Sequence, residues 1–526
     1  MSRIQGDKWT SIDEMKDCLT KQIVSAPKYE HGGVPLISDG KTMYLYTGEG
    51  NALIIGSTGC SKTRGVLMPT ILSSIRAEEN LFTIDAKCEL YNATHIELKK
   101  RKYKTFVLNL RDLLCSSRWN PLIFAYKLYK TGNPDNMHKA MEMVNDMGIS
   151  IFIDETKDKM IDPFWSNMAK KTFVGLVEAL FMVGKEEEIN LFNVYNMFVQ
   201  GLERFGGSNY LTEFFDLCVG KDSSAYINIS GTLNAANETR ASIASVFLEG
   251  MQMFGVSEVM KDTMSHSGFD ISSLTDEKTA IFVIVPDEST KYHKLAAIFA
   301  TQVYQQYIRL AHEKYQGVLP RKVNFFLEEF GNMKVPDIAA MISACRSRNI
   351  RFFLVLQTLS QLDAKYTSHE ADVIKTNCIL WLFFHTNHVR TLEEISKLCG
   401  ERRAVINNTI YKEPLISIAQ LQRFEPRQVL IRLGGKQFVT KLPDISEYDF
   451  PKAEPAKFRK RKLLTIKTFD IKKLVRDIRD IKYKELFPLA EETMEKEQPG
   501  FDVDALIERI NNKIAELEKE ESEQAE

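Results

Sequence analysis

The residues from Asn51 to Thr63 read Asn-Ala-Leu-Ile-Ile-Gly-Ser-Thr-Gly-Cys-Ser-Lys-Thr, an apolar stretch that runs into small residues and ends in Lys-Thr. Residue types in that order suit a phosphate cradle. Backbone N–H groups converge at a helix N-terminus, a lysine ammonium meets the outer phosphates, and a hydroxyl reaches Mg²⁺. The candidate cradle is Gly56, Ser57, Thr58, Gly59, Cys60, Ser61, Lys62 and Thr63, with Thr63 as a metal contact. The pattern G-x-x-x-x-G-K-[ST] is met except at Ser61, which places a Cβ where the second glycine normally leaves none. A loop of this composition also occurs without a nucleotide, so a second signal is required.

That signal is Val323-Asn324-Phe325-Phe326-Leu327-Glu328-Glu329, an apolar run ending in two carboxylates. It has the form of a buried parallel strand that delivers acids to its C-terminal edge. Glu328 is the candidate holder of the Mg²⁺ water shell, although aspartate is usual there. Glu329 is the candidate that orients or deprotonates the attacking water. Alone, two acids after a strand are a solvated strand end; with the cradle they point to hydrolysis of a nucleoside triphosphate such as ATP. A further buried run, Arg351 to Leu356, ends at Gln357, whose amide is placed to sense a terminal phosphate. Arg346, Arg348 and Arg351 precede or open that run. A guanidinium from a neighbouring subunit can stabilise a transferring phosphoryl group, and Arg346 is the first choice, with Arg240 as runner-up.

Several stretches in order resemble the type IV coupling proteins of the TraG/TraD type, motor ATPases of conjugative DNA transfer. They are Gly6 to Glu14, with its tryptophan; Gly65 to Leu72; and Leu81 to Tyr91, with Asp-x-Lys-x-Glu and Cys88 in place of a glycine. Trp119-Asn120-Pro121-Leu122, Glu328 to Met333, Arg346 to Arg351 and Gln357 to Leu362 complete the set, which covers roughly residues 5 to 445. The resemblance implies an α/β P-loop NTPase fold, RecA/FtsK-like, with a mainly parallel sheet, an inserted all-α domain and a charged C-terminal tail. It further implies ATP and Mg²⁺ as cofactors and a homo-hexamer. The implied partners are single-stranded DNA, relaxase or relaxosome proteins, and type IV secretion channel components.

The elements that must position these groups follow from hydrophobic patterning. Strands are predicted at 51–55, 81–85, 104–109, 279–286, 322–328, 351–357 and 376–385, with helices between them, as in a parallel sheet covered on both faces. From about 125 to 275 the alternation gives way to helices such as Met137–Asp146, Asp162–Val183, Leu191–Gln200 and Ala241–Phe254. The expected division is an N-terminal segment (1–50), a nucleotide-binding domain (51–124 and 276–450), an all-α insert (125–275) and a charged extension (451–526). Met141, Met143, Met147, Met251 and Met253 read as core filler. His385 and His388 read as polar residues at a strand end rather than ligands.

The 526 residues are 44% hydrophobic with a net charge of −1, so nucleic-acid contact must come from local patches. Eight cysteines without paired spacing read as reduced residues, mostly core, with Cys60 the exception: it falls in the cradle, where it is open to alkylation or is an inert substitution. No stretch is long and apolar enough for a membrane span and no signal peptide is evident. The expectation is a cytoplasmic protein, or one peripheral at the inner face of the cell membrane that meets the membrane only through a partner. From Lys452 to Lys484 thirteen Lys/Arg face four Asp/Glu; from Glu485 to Glu526 four face fourteen. The basic half suits phosphates or an anionic membrane surface, or is a solvated helix face or pairs with the acidic half; in the latter, Val503, Ile507, Ile510, Ile514 and Leu517 share a helical stripe. Two rival readings accompany the coupling motor: a nucleotide-binding substrate receptor without significant turnover, and a soluble ring DNA translocase outside conjugation.

Overall fold

A computed structural model describes residues 8–153, 162–286, 288, 292–406 and 409–486. The acidic half of the tail from residue 487 on, with its apolar stripe, lies outside the described residues.

The chain opens with three short strands, β1 (Thr20–Ile23), β2 (Val34–Ser38) and β3 (Thr42–Tyr46), which form an antiparallel sheet in the order β1-β3-β2. The sequence reading missed them. Next come β4 (Asn51–Ile55), β5 (Asn80–Asp85) and β6 (Lys104–Asn109). Two-residue strands β7 (Arg204–Phe205) and β8 (Ser208–Asn209) interrupt the helical region. Then follow β9 (Thr279–Ile284), β10 (Val323–Leu327), β11 (Ile350–Leu356) and β12 (Cys378–Phe383). Two hairpins close the set, β13 (Glu401–Ile406) with β14 (Thr409–Pro414), and β15 (Gln428–Leu433) with β16 (Lys436–Lys441).

Nine of these form one sheet in the order β16-β15-β12-β4-β11-β10-β5-β9-β6. From β12 to β6 all neighbours are parallel, while β15 and β16 add an antiparallel edge. β4, β5, β9, β10 and β11 are buried along their whole length, as expected of parallel strands covered on both faces. Successive side chains alternate between faces. Phe325 thus stacks with Phe82 and Phe352 at 5.1 and 4.9 Å, beside Phe299 and Tyr304 of helix His293–Tyr315. Phe326 stacks on Phe353 at 4.5 Å on the opposite face, in the core shared with Ile71 and Ile75.

Helices dominate from Ile123 to Ser265. Helix Pro134–Phe152 starts at Asn133, whose side chain accepts from the N–H groups of Asp135 and Asn136, with a proline at the first position where no N–H is needed. Helix Pro163–Val183 repeats the device with Asp162 and stops at Gly184. Contacts divide the described chain into two compact units. The first runs to Val199 and resumes from Lys221 to Phe469; the second takes Gln200–Gly220 and the chain from Asp470, including helix Ile471–Leu486.

In that division residues 451–469 of the charged extension belong to the first unit. Residues 451–469, without helix or strand, form a strap on the first unit. Ala456 N donates to Asn92 Oδ1 at 2.8 Å and Phe458 packs on Tyr91. Arg461 lies against Asp262, a carboxylate 1% exposed that also accepts from Arg118 at 3.2 Å and from Leu464 N at 2.8 Å. Its Nε and Nη2 donate to Ser116 O at 2.8 Å and Thr263 Oγ1 at 2.6 Å. Arg461→Ala strips a buried carboxylate of one of its two cations, a change worth roughly 1–3 kcal/mol. Thermal unfolding is expected to shift downward measurably; an unchanged Tm would make the strap a surface decoration.

Candidate nucleotide site

β4 delivers the chain into the cradle at its C-terminal end. Gly56 N donates to Leu356 O of β11 at 3.1 Å and Ser57 N to His385 O at 2.8 Å, so the loop is pegged between the ends of β11 and β12. A Cβ on Gly56 would lie 2.6 Å from Cys60 Sγ and 2.8 Å from Phe384 Cβ, which only glycine avoids. Ser61 takes a left-handed conformation, φ 74° and ψ 19°. The serine therefore keeps the backbone that a glycine would adopt, at a cost of about 1–2 kcal/mol. A widened π-helical turn, Lys62–Leu67, follows and continues as α-helix Met68–Arg76. Pro69 has no N–H for Gly65 O, and the turn before it bonds Met68 N to Thr63 O instead.

The Lys62 ammonium folds back over the loop, donating to Gly56 O and, at 2.9 Å, to Ser57 O. Cys60 Sγ lies 3.9 Å from it, and burial raises the thiol, which keeps it protonated.

Thr63 Oγ1 donates to Glu328 Oε1 at 2.6 Å. The other oxygen of Glu328 accepts from Ala86 N at 3.2 Å. β10 and β5 are in register with Leu327 opposite Ile84, which sets Glu328 beside Asp85. Asp85 is buried. Its Oδ2 accepts from Tyr91 N at 2.8 Å, capping helix Glu89–Lys100, while its Oδ1 has no hydrogen-bond partner among the described residues. Burial raises both carboxyls, and each further carboxylate nearby raises them again. A hydroxyl, two carboxyls short of positive charge and an orphaned buried oxygen fit a hard divalent cation with part of its water shell. The extra methylene of Glu328 is taken up by its direct reach to Thr63. No group of three or more His, Cys, Asp and Glu among the described residues would hold a metal alone, so the cation's other oxygens would come from water and phosphate.

Glu329 follows in the left-handed region, φ 58° and ψ 29°, and its Oε2 accepts from Asn332 Nδ2 at 2.6 Å. Gln357 emerges from β11 one residue past the carbonyl that pegs Gly56, and its N–H donates to Gln361 Oε1 at 2.7 Å. The cradle, Glu328, Glu329 and Gln357 thus meet at one edge of the sheet.

Arg346 does not join them. It sits in the turn that opens β11, at the opposite sheet edge, with a side chain 77% exposed and 3.5 Å from Glu49. A seven-residue strand spans roughly 20 Å, so Arg346 is out of reach of its own cradle. Arg351 is a buried strut: it pairs with Glu79 at 2.9 Å and donates to Asn324 Oδ1 at 2.8 Å. Arg240 donates to Leu233 O and Ala235 O at 2.7 and 3.0 Å. His388 caps helix Val389–Cys399. The sequence reading gave no role to Asp85, Asn332 or Gln361. For the last two a signal existed: amides three residues after Glu329 and four after Gln357 suit a tight turn that folds back on each.

The sheet, its cradle and its paired carboxylates define a P-loop NTPase fold. Residues 8–414 match the family described as Type IV secretory system Conjugative DNA transfer, and the chain belongs to that family. Among solved structures it is similar to the unbound bacterial conjugative coupling protein TrwBdeltaN70 at a TM-score of 0.61 and 14% identity, over 88% of this chain and 95% of that one. The plasmid coupling protein TrwB in complex with the non-hydrolysable ATP analogue ADPNP gives 0.60 and 14%, over 88% and 96%. VirB4 of Thermoanaerobacter pseudethanolicus gives 0.50 and 12%, over 80% and 99%. TrwB has also been solved with ADP and Mg²⁺. No curated protein sequence matches the chain. No helix among the described residues is long and apolar enough to cross a membrane.

Ser61→Gly removes the left-handed strain without touching a hydrogen bond of the cradle. It is expected to raise Tm by a few degrees, with nucleotide affinity retained; a lower Tm would mean that the serine side chain earns its place by a contact.

Proposed function

We propose that the chain is an ATP-driven coupling motor. It binds Mg-ATP in the cradle Gly56–Thr63, hydrolyses it and uses the energy to drive DNA to a secretion channel. The observation that carries this reading is the 2.6 Å hydrogen bond between Thr63 and Glu328, which joins the phosphate loop to the acidic strand end 265 residues later. When bound, Mg²⁺ supplies charge neutralisation on the outer phosphates. Thr63 and Glu328 hold it and its waters, Lys62 turns from the loop carbonyls to the phosphates, and Gln357 faces the terminal phosphate. Glu329 orients the attacking water and takes its proton.

Arg346, exposed at the far edge, suits action on a neighbouring subunit's nucleotide in a ring, a homo-hexamer. Family membership favours single-stranded DNA with its relaxase or relaxosome as cargo, and type IV secretion channel components as the receiving partner. A cytoplasmic chain that meets the membrane through that partner accords with this reading.

A receptor without turnover is the second reading, favoured by the Lys62 ammonium being held by Gly56 O and Ser57 O. Steady-state ATP hydrolysis with and without single-stranded DNA separates the two. DNA-stimulated turnover that disappears in Glu329→Gln, with ATP binding retained, establishes the motor. Bound ATP with no turnover under ring-forming conditions establishes the receptor. Lys62→Ala is expected to abolish nucleotide binding, read by equilibrium titration, because it removes the cation facing the outer phosphates; wild-type affinity would refute the cradle.

A further inference from the structure

Between Glu329 and Gln357 runs a chain of side-chain amides. Gln361 Oε1 accepts from the backbone N–H groups of Gln357 and Thr358, at 2.7 and 3.3 Å. Gln361 Nε2 donates to Asn332 Oδ1 at 3.2 Å, and Asn332 Nδ2 donates to Glu329 Oε2 at 2.6 Å. The direction of every bond is dictated from one end. A backbone N–H only donates, so it claims the oxygen of Gln361; this leaves the Gln361 NH₂ for the oxygen of Asn332, and the Asn332 NH₂ for the carboxylate, which accepts.

The backbone makes room for this chain. Gly331 lies under it, and a Cβ there would stand 2.4 Å from the Gln361 carboxamide. Glu329 occupies a left-handed conformation rarely held by a side-chain-bearing residue, and Asn332 closes the short turn Phe330–Asn332 that follows. Met333 and Phe330, both buried, anchor the turn. At the other end, the residue before Gln357 gives its carbonyl to Gly56 N, the first residue of the cradle.

We propose that Asn332 and Gln361 are positioning residues that aim the Glu329 carboxylate and tie its aim to the end of β11. A shift of Gln357 toward a terminal phosphate moves the two N–H groups that hold Gln361, and the amide chain passes that shift to the carboxylate meant for the attacking water. This inference rests on the motor reading of the same site.

Gln361→Glu tests it with a near-isosteric change. The variant oxygen still accepts from Gln357 and Thr358 but has no N–H for Asn332, which then turns and offers its own oxygen to Glu329. The expected result is a fall in kcat of about tenfold or more, at an unchanged KM for ATP. Gly331→Ala removes no polar group and displaces only the end of Gln361; it is expected to lower kcat in the same way, while Gln361→Asn recovers little. Wild-type kcat in both Gln361→Glu and Gly331→Ala would overturn the proposal. Loss of KM and kcat together would also overturn it, since that is the mark of a damaged cradle.

Should the wild-type protein bind ATP without turnover, the motor reading fails by itself and a double-mutant cycle in thermal unfolding decides the relay. Non-additive Tm shifts for Glu329→Gln and Gln361→Ala, residues joined by hydrogen bonds only through Asn332, support it. Additive shifts overturn it.

Discussion

The site depends on a hydroxyl and a carboxylate brought to hydrogen-bonding distance by strands that are neighbours only after folding. Thr63 follows β4 and Glu328 follows β10, and β11 lies between them in the sheet. Parallel pairing sets all three ends at one edge, so register alone decides whether the hydroxyl and the acid meet. A slip of one residue in β10 would send Glu328 to the opposite face and bring Glu329 to its place. The aromatic stacks on both faces, Phe82-Phe325-Phe352 and Phe326-Phe353, guard against that slip, because each fills a space shaped for the alternate residue of its strand.

The same edge gathers conformations that cost energy. Ser61, Cys88 and Glu329 all have positive φ, at 74°, 61° and 58°. Two of them stand where the family pattern or the loop pattern has glycine, and in both the backbone has kept the glycine conformation while the residue changed. Strain of this size persists when surrounding contacts over-determine the geometry. Here those contacts are the pegs on Gly56 and Ser57, the Asp85 cap on helix Glu89–Lys100 and the amide chain behind Glu329.

The seven parallel strands were all legible in the sequence: five are buried along their whole length and must be apolar runs, and β6 and β12 keep an apolar run over their covered residues. That the lysine-threonine end of the cradle and the paired acids stand at one sheet edge was legible too, because each follows an apolar run that had to be a strand of the same parallel sheet. What escaped was structure built by short or half-buried strands. β1 to β3 are four or five residues long with mixed burial. β15 and β16 flank Gly434-Gly435, a two-residue turn signal that was present and went unread. The buried role of Arg351 was hidden for another reason: its partners Glu79 and Asn324 are remote in sequence, and nothing local distinguishes an internal strut from a surface arginine. The tail's charge count concealed the strap, since composition averages over Arg461, whose one inward side chain matters more than its exposed basic neighbours.

That strap also sets the order in which the molecule can close. Thr263 and Asp262 leave the ribosome long before Arg461, which follows Thr263 by 198 residues, and Arg118 is made earlier still. Until Arg461 has been made, Asp262 has only Arg118 for a cation and the carbonyls of Leu113, Leu114 and Ser116 lack their Arg461 donors. Non-local closures of this kind come late because their loop entropy must be overcome before any contact rewards it. A nascent chain stalled before residue 461 would therefore hold a sheet with its strands paired and a helical layer whose seam is unsealed, a state for chaperones and proteases to find.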